Sequence, residues 1–168
     1  ITATFDALLR LASLESGVGR EAFTTVDLSL LVDDIVQAFG AVVEDAGHTL
    51  SVTVKDQPVK VKGDRQLLVQ LLGNLMQNAL QHGAMGQAID LTVDGHEVTV
   101  TDQGPGIGPT EREKVLQPLY QGEQSRQGAG YGLGLSIVRA IADLHDADLR
   151  LEDGPEGKGL AVKLVFPI

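Results

Sequence analysis

The sequence predicts a two-layer α/β (α+β) sandwich, with a mixed, mostly antiparallel sheet covered on one face by three helices. Three observations carry that expectation. Ile89, Leu91 and Val93 alternate, meet Asp94–Gly95 and continue into Val98 and Val100. A two-residue Asp-Gly between alternating runs is the strongest short hairpin signal. The chain closes with two further runs, Leu149 to Leu151 and Leu160 to Phe166, joined through a glycine-rich loop and ended at Pro167. Apolar residues also recur at helical spacing in three separate stretches. Strands joined as hairpins, with the helices apart from them, argue against alternating parallel βαβ units.

Taken in order, residues 1–16 read as a helix with Ile1, Phe5, Leu8 and Ala12 on one side, stopped at Gly17–Gly19. It lies outside the unit that follows and reads as the stump of a longer helix or helical pair. Asp27 to Glu44 is a second helix, with Leu28, Leu31, Val32, Ile35, Val36 and Phe39 facing the core. Leu50, Val52 and Val54 alternate as a strand, and Val59 to Val61 is expected to form its return after Gln57–Pro58. Asp64, directly after Gly63, is a good N-cap for a helix running to His82. Leu135, Ile137, Val138, Ile141 and Leu144 mark the third core helix. There is no internal repeat or low-complexity tract.

The 168 residues suffice for one domain with a substantial core. Hydrophobic residues at 43% and charged residues at 21% give an ordinary globular balance, which excludes wholesale disorder. A net charge of −10 argues against a general nucleic-acid binder. The absence of Cys excludes disulfides and thiolate metal sites and fits a reducing compartment. No apolar run approaches membrane-spanning length, and no signal peptide is visible. The start at Ile1 suggests an excised fragment, with room for a membrane segment upstream.

Three stretches carry chemistry. On the helix from Asp64, the residues Leu68, Leu71, Leu72, Leu75, Met76 and Ala79 make the apolar stripe, while Gln70, Asn74, Asn78 and His82 follow each other one turn apart beside it. Asn is a poor mid-helix residue because its amide competes for backbone hydrogen bonds. Two in line suggest an edge that faces something, and amide oxygens suit a hard cation or the donors of a ligand. A pair of solvated asparagines is the alternative. In the second stretch, Asp102 shares parity with Val98 and Val100 and so points to the core-facing side of its strand. A carboxylate there must find donors. Gly104, Gly106 and Gly108 after it remove side-chain bulk, so a flat ligand could reach the backbone and the carboxylate; an ordinary Asx turn remains the alternative. The third stretch, Gly128 to Leu135, places glycines ahead of a helix start, where free N–H groups and the dipole favour phosphate. It is neither a Rossmann nor a P-loop pattern. Between the glycine clusters, residues 109–127 are polar and charged and read as a lid.

Asn74-Leu-Met-Gln-Asn78-Ala, Asp102-x-Gly-x-Gly-Ile and Gly130-x-Gly-Leu-Gly-Leu135, in this order and spacing, resemble the N box and glycine boxes of the histidine-kinase ATP-binding domain, in the gyrase, heat-shock chaperone, histidine kinase and mismatch-repair ATPase superfamily. The resemblance covers residues 25–168 and implies a Bergerat-type fold with ATP between the N-box helix and the lid. It implies Asn78 as Mg²⁺ ligand, with Asn74 its companion near the phosphates, and these two as the catalytic pair. Asp102 would accept the adenine amine, with Gly104, Gly106 and Ile107 shaping the base pocket. Gly130, Tyr131, Gly132, Leu133, Gly134 and Leu135 would form the phosphate-side hinge of a lid spanning 105–131. His82 matches a position beside the nucleotide, or is a surface residue; His48, His96 and His145 read as structural or solvated.

Departures from the pattern matter. Gln81 stands where many members carry a Lys towards the phosphates, and Leu119-Tyr120-Gln121 replaces Phe-Tyr-Arg, which leaves Arg112 or Arg126 as substitutes. Asp146-Ala147-Asp148 replaces the common Gly-Gly after His145 as a turn variant. None of the four histidines sits in a phosphoacceptor context. The expectation is therefore an ATP-dependent protein histidine kinase catalytic domain at 21–168, preceded at 1–20 by the tail of a dimerisation/phosphoacceptor helix. The substrate would be ATP with Mg²⁺, and the partners the missing acceptor domain and a response regulator receiver domain. No nucleic acid is expected, and a homodimer only with the missing helices. The location would be the cytoplasm, including as part of an inner-membrane sensor. A nucleotide-binding regulatory module and an anti-sigma-type serine kinase are the alternatives.

Overall fold

Two aspartates start the first two long helices. In a computed structural model, which describes residues 9–14, 16, 19–55, 58–121 and 132–168, helix α1 runs Leu28–Asp45 and the Asp27 carboxylate accepts the Ser29 N–H at its start. Helix α2 runs Arg65–His82, and Asp64 accepts from Gln66 and Leu67. Each cap satisfies donors that the first turn leaves without intrahelical partners. Helix α3, Gly134–Leu144, begins with no side-chain cap. Leu28, Leu31, Val32 and Ile35 of α1, the six predicted apolar residues of α2, and Ile137, Val138, Ile141 and Leu144 of α3 are buried in one core. Only residues 9–14 of the first predicted helix are described as helical, with Leu11 and Leu14 buried. Ala12, expected on the apolar side, is exposed and Ser16 lies in a turn, while residues 1–8 and 15 lie outside the described residues.

The five-stranded sheet has the order β2-β4-β5-β7-β6, with β2 Thr49–Lys55, β4 Ala88–Asp94, β5 Glu97–Thr101, β6 Asp148–Asp153 and β7 Leu160–Val165. β2 and β4 pair in parallel because α2 lies between them as a crossover; the other three pairings are antiparallel. Leu91 opposes Val100, which opposes Val162, and Val93 opposes Val98, which opposes Leu164. These rows form the inner face under the helices. The expected β4–β5 hairpin forms, but its two-residue loop is Gly95–His96 and not Asp94–Gly95: Asp94 pairs with Glu97, and Gly95 takes φ +56°. Gly at the first loop position is the demand of a two-residue turn that follows the sheet twist.

One strand pairing differs from the expectation. Val59 to Val61 does not return to β2. β3, Lys60–Gly63, pairs antiparallel with β1, Thr24–Asp27, in a separate two-stranded sheet with Val26 opposite Val61. That pairing buries Val26, Val59 and Val61, while β2 remains an edge strand with Val52 39% exposed. Thr24–Asp27 holds a single apolar residue, so no alternation announced it.

The chain enters this domain across the end of α3. Arg20 pairs with Asp146 through both guanidinium nitrogens at 2.8 and 2.9 Å, and the Phe23 ring stacks on His145 at 4.6 Å. Buried His145 faces Ile141 O with Nδ1 at 2.7 Å and accepts the Asp64 N–H at Nε2 at 3.0 Å. Its Nδ1 therefore donates, and the ring joins α3 to the start of α2. Asp146 is a turn residue as expected, with φ +53°, a conformation L-residues adopt at some cost. The ion pair with Arg20 goes beyond that expectation.

Candidate functional site

The polar edge of α2 is half-buried at Gln70, Asn74, Asn78 and His82, while Gln81 is exposed. Asn74 Nδ2 is buried without a hydrogen-bond partner among the described residues. A buried amide lacking its bond is costly, and a ligand oxygen on this edge would relieve it.

Asp102 continues β5 on its inward parity and is 5% exposed. Its Oδ1 accepts the N–H of Gly104 at 2.8 Å and of Leu160 at 3.3 Å. Both bonds fall on Oδ1, so Oδ2 has no hydrogen-bond partner among the described residues and can accept from a ligand donor. Burial pushes the carboxyl above the usual carboxylate range, with Gly104, Leu160 and His82 pulling it back. Burial pushes the His82 imidazole down, and Asp102 pulls it up. The two groups are therefore electrostatic neighbours.

Packing of the chain on itself accounts for two of the glycines after Asp102. At Gly104 a Cβ would stand 2.4 Å from His82 O, and at Gly106, where φ is +72°, 2.7 Å from Gly159 O. These positions are glycine because the chain packs on itself there. Gly108 has open space around it, so the structure gives no steric reason for glycine at that third position. Ile107 packs against the core, and its carbonyl accepts from Arg112 Nε at 3.1 Å.

Gly132, at φ +67°, leaves no room for a Cβ under Tyr120 O, and Leu119 N donates to Gly132 O at 3.0 Å. Leu133 is buried and begins α3, Leu135 packs partly against the core, and Gly134 has open space around it. An uncapped helix start after glycines offers N–H donors suited to an anion. Gly130 and Tyr131 lie outside the described residues, as does Arg126. The first half of the expected lid is part of the packed body. The short helix Lys114–Leu116 buries Leu116 against α3, two apolar side chains in a polar segment being enough to anchor it. Arg112 is not a free substitute cation, since its guanidinium holds Asp153 at 2.6 Å.

Four residues of this region escaped the sequence reading. Gly159 packs against the Asp102 carbonyl, where a Cβ would stand 1.9 Å away, and Leu160 donates to the carboxylate. Gln87, 1% exposed, and Gln103 tie the end of α2 to the residues after β5. A glycine in a loop and glutamines beside strands look like ordinary turn and surface residues; only the burial of Gln87 marks it.

Residues 63–168 match the family model described as histidine kinase-, DNA gyrase B-, and HSP90-like ATPase. The sensor protein kinase PmrB of Pseudomonas aeruginosa is 32% identical over 99% of this chain and 35% of its own length. The sensor-like histidine kinase SenX3 of Mycobacterium tuberculosis is 30% identical over 95% and 40%. The chain thus spans about two fifths or less of these relatives. Among solved structures, the catalytic domain of histidine kinase ThkA superposes with a TM-score of 0.76 at 27% identity, covering 86% of this chain and 97% of that one. With the fold, the polar helix edge, the buried carboxylate and the two glycine segments in one register, the chain belongs to the histidine kinase-, DNA gyrase B- and HSP90-like ATPase family and stands among its histidine kinase catalytic domains.

Proposed function

We propose that this chain binds ATP with Mg²⁺ and supplies the γ-phosphoryl group to a histidine on a dimerisation/phosphoacceptor domain outside it. The phosphoryl group would pass on to the receiver domain of a response regulator in two-component signalling. The observation that carries the reading is Asp102, a buried carboxylate with both internal bonds on one oxygen, beside the α2 edge that holds an unpartnered amide.

In this reading Asp102 Oδ2 accepts the exocyclic amine of adenine, and Gly104 and Gly106 let that wall form. His82 lies along the base or ribose. Asn74 and Asn78 face the triphosphate, and the N–H groups at the start of α3 bind its oxygens, with Gly130 to Leu135 as hinge. Among the described residues no cluster of His, Cys, Asp or Glu could hold a metal. The ion would be held by the Asn78 amide oxygen together with phosphate and water oxygens, all hard oxygen ligands. When bound, the ion would neutralise charge on the phosphates. The acceptor imidazole nitrogen attacks the γ-phosphorus in line, and the β–γ bridging oxygen leaves on ADP. Positioning and charge stabilisation do the work, with no covalent intermediate on this chain. Residues 21–168 would be the catalytic domain, 1–20 the tail of the acceptor helix, and the site of action the cytoplasm, where ATP is available.

Isothermal calorimetry with ATP and ADP, with and without Mg²⁺, should show saturable binding. Labelled ATP plus a separate acceptor domain should give phosphohistidine that Asn78→Ala abolishes. Absence of binding at millimolar nucleotide, or labelling indifferent to Asn78→Ala, would overturn the reading. A second reading, a nucleotide-holding regulatory module without transfer, is favoured by Arg112 being engaged with Asp153 and by neutral Gln81 and Gln121. Turnover with any cognate acceptor excludes it.

A further inference from the structure

The end of α2 and the residues after β5 are joined by two glutamines that each bond the other's surroundings. Gln87 Nε2 donates to Ala79 O at 2.8 Å, and its Oε1 accepts the Gln103 N–H at 2.9 Å. Gln103 returns the bond: its own Oε1 accepts the Ala88 N–H at 3.1 Å. The joint is tight on both sides. A Cβ on Gly83 would stand 1.5 Å from Gln87 Nε2, and one on Gly104 would stand 2.4 Å from His82 O. The peptide that Gln87 grips is the one that follows Asp102.

We propose that Gln87 is a positioning residue that sets where the Asp102 carboxylate stands relative to His82, and so gives the site its preference for a 6-amino over a 6-oxo purine nucleotide. This rests on the nucleotide reading of the site. The chemistry asks for a glutamine. Its amide donates at one atom and accepts at the other, and both are used. Glutamate would set an acceptor against the Ala79 carbonyl. Methionine fills a similar volume and bonds neither group, which leaves the partly buried Gln103 N–H without its acceptor. A carboxylate that reads one amine discriminates only while it is held within a fraction of an ångström. Displacement of this peptide is therefore felt at the 6-position of the purine and little at the phosphates, which are held from the other end of the site.

The test is the ratio of Kd values for ATP and inosine triphosphate, measured on this chain for wild type, Gln87→Met and Gln103→Ala, with a thermal melt of each. Wild type is expected to prefer ATP by at least about tenfold, the order that a charged hydrogen bond supplies. Gln87→Met should bring the ratio to within about threefold of unity, mostly through weaker ATP binding. Gln103→Ala, at an exposed position that does not endanger folding, should lower the ratio partway. Equal weakening of both nucleotides at an unchanged ratio would make Gln87 a structural residue only and overturn the proposal. If Gln87→Met does not fold, an unchanged ratio in Gln103→Ala overturns it. Wild type that binds neither nucleotide would overturn the site reading itself, and selective wild type with unselective variants is the supporting result.

Discussion

Replacing Asp102 with Asn should move binding and stability in opposite directions. The carboxyl is buried, accepts two N–H groups through Oδ1, and sits above its ordinary pKa chiefly because of burial. An Asp whose folded pKa is raised contributes stability that is present below the unfolded value and is lost as pH rises through the folded one. At neutral pH the ionised group is therefore held at a cost to the ligand-free fold. Asparagine keeps one oxygen for Gly104 and Leu160 and removes the charge, so the ligand-free protein should melt higher at pH 7, and the gain should vanish in acid. At the other oxygen it turns an acceptor into a donor facing the adenine amine. A hydrogen bond to a charged group contributes about 1.5–3 kcal/mol, so ATP affinity should fall about 10- to 100-fold. Calorimetry at pH 7, and thermal melts from pH 8 down to about 3.5, below the unfolded carboxyl value of about 3.9, read both arms. Unchanged affinity, or a lower melting temperature accompanying weaker binding, would refute the reasoning.

Burial also depresses the His145 pKa, against the pull of Asp64 and Asp146 and with the push of Arg20. A His held neutral contributes stability present above the unfolded value of about 6.5 and lost as pH falls below it; protonated Nε2 would point an N–H at the Asp64 N–H. Melting temperature should fall from pH 7 to 5. His82, depressed in the same direction, adds to that fall and Asp102, raised, offsets part of it, so the share of His145 is read as the difference between wild type and His145→Gln, which should show a flatter dependence. A slope identical in the two proteins would refute it. The glycines provide an internal contrast in ATP binding by calorimetry. Gly104→Ala drives a Cβ into His82 O and should weaken binding tenfold or more, whereas Gly108→Ala meets nothing and should leave it within about twofold.

The parts of the fold legible in the sequence were those with a local signature. Asp64 preceded its helix and capped it, the apolar stripe from Leu68 to Ala79 went into the core, and Asp102 turned inward by strand parity. The parts that escaped depend on partners distant in the chain. β1 has one apolar side chain and exists because Val61 is opposite it. The close approach of the backbone of His82 to Gly104 and of Gly159 to Gly106 comes from far away in sequence and left no local signature. Arg112 looked like a free cation until Asp153 was beside it. Gln87 carried no signal because an amide that satisfies two distant backbone groups has the same letter as one in solvent.

The bond from Leu119 N to Gly132 O closes a ring in the chain. The start of α3 is thereby tied to the segment that carries the short helix Lys114–Leu116, whose Leu116 is buried against the same helix. The junction keeps the start of α3 aimed at the same place relative to residues 114–119.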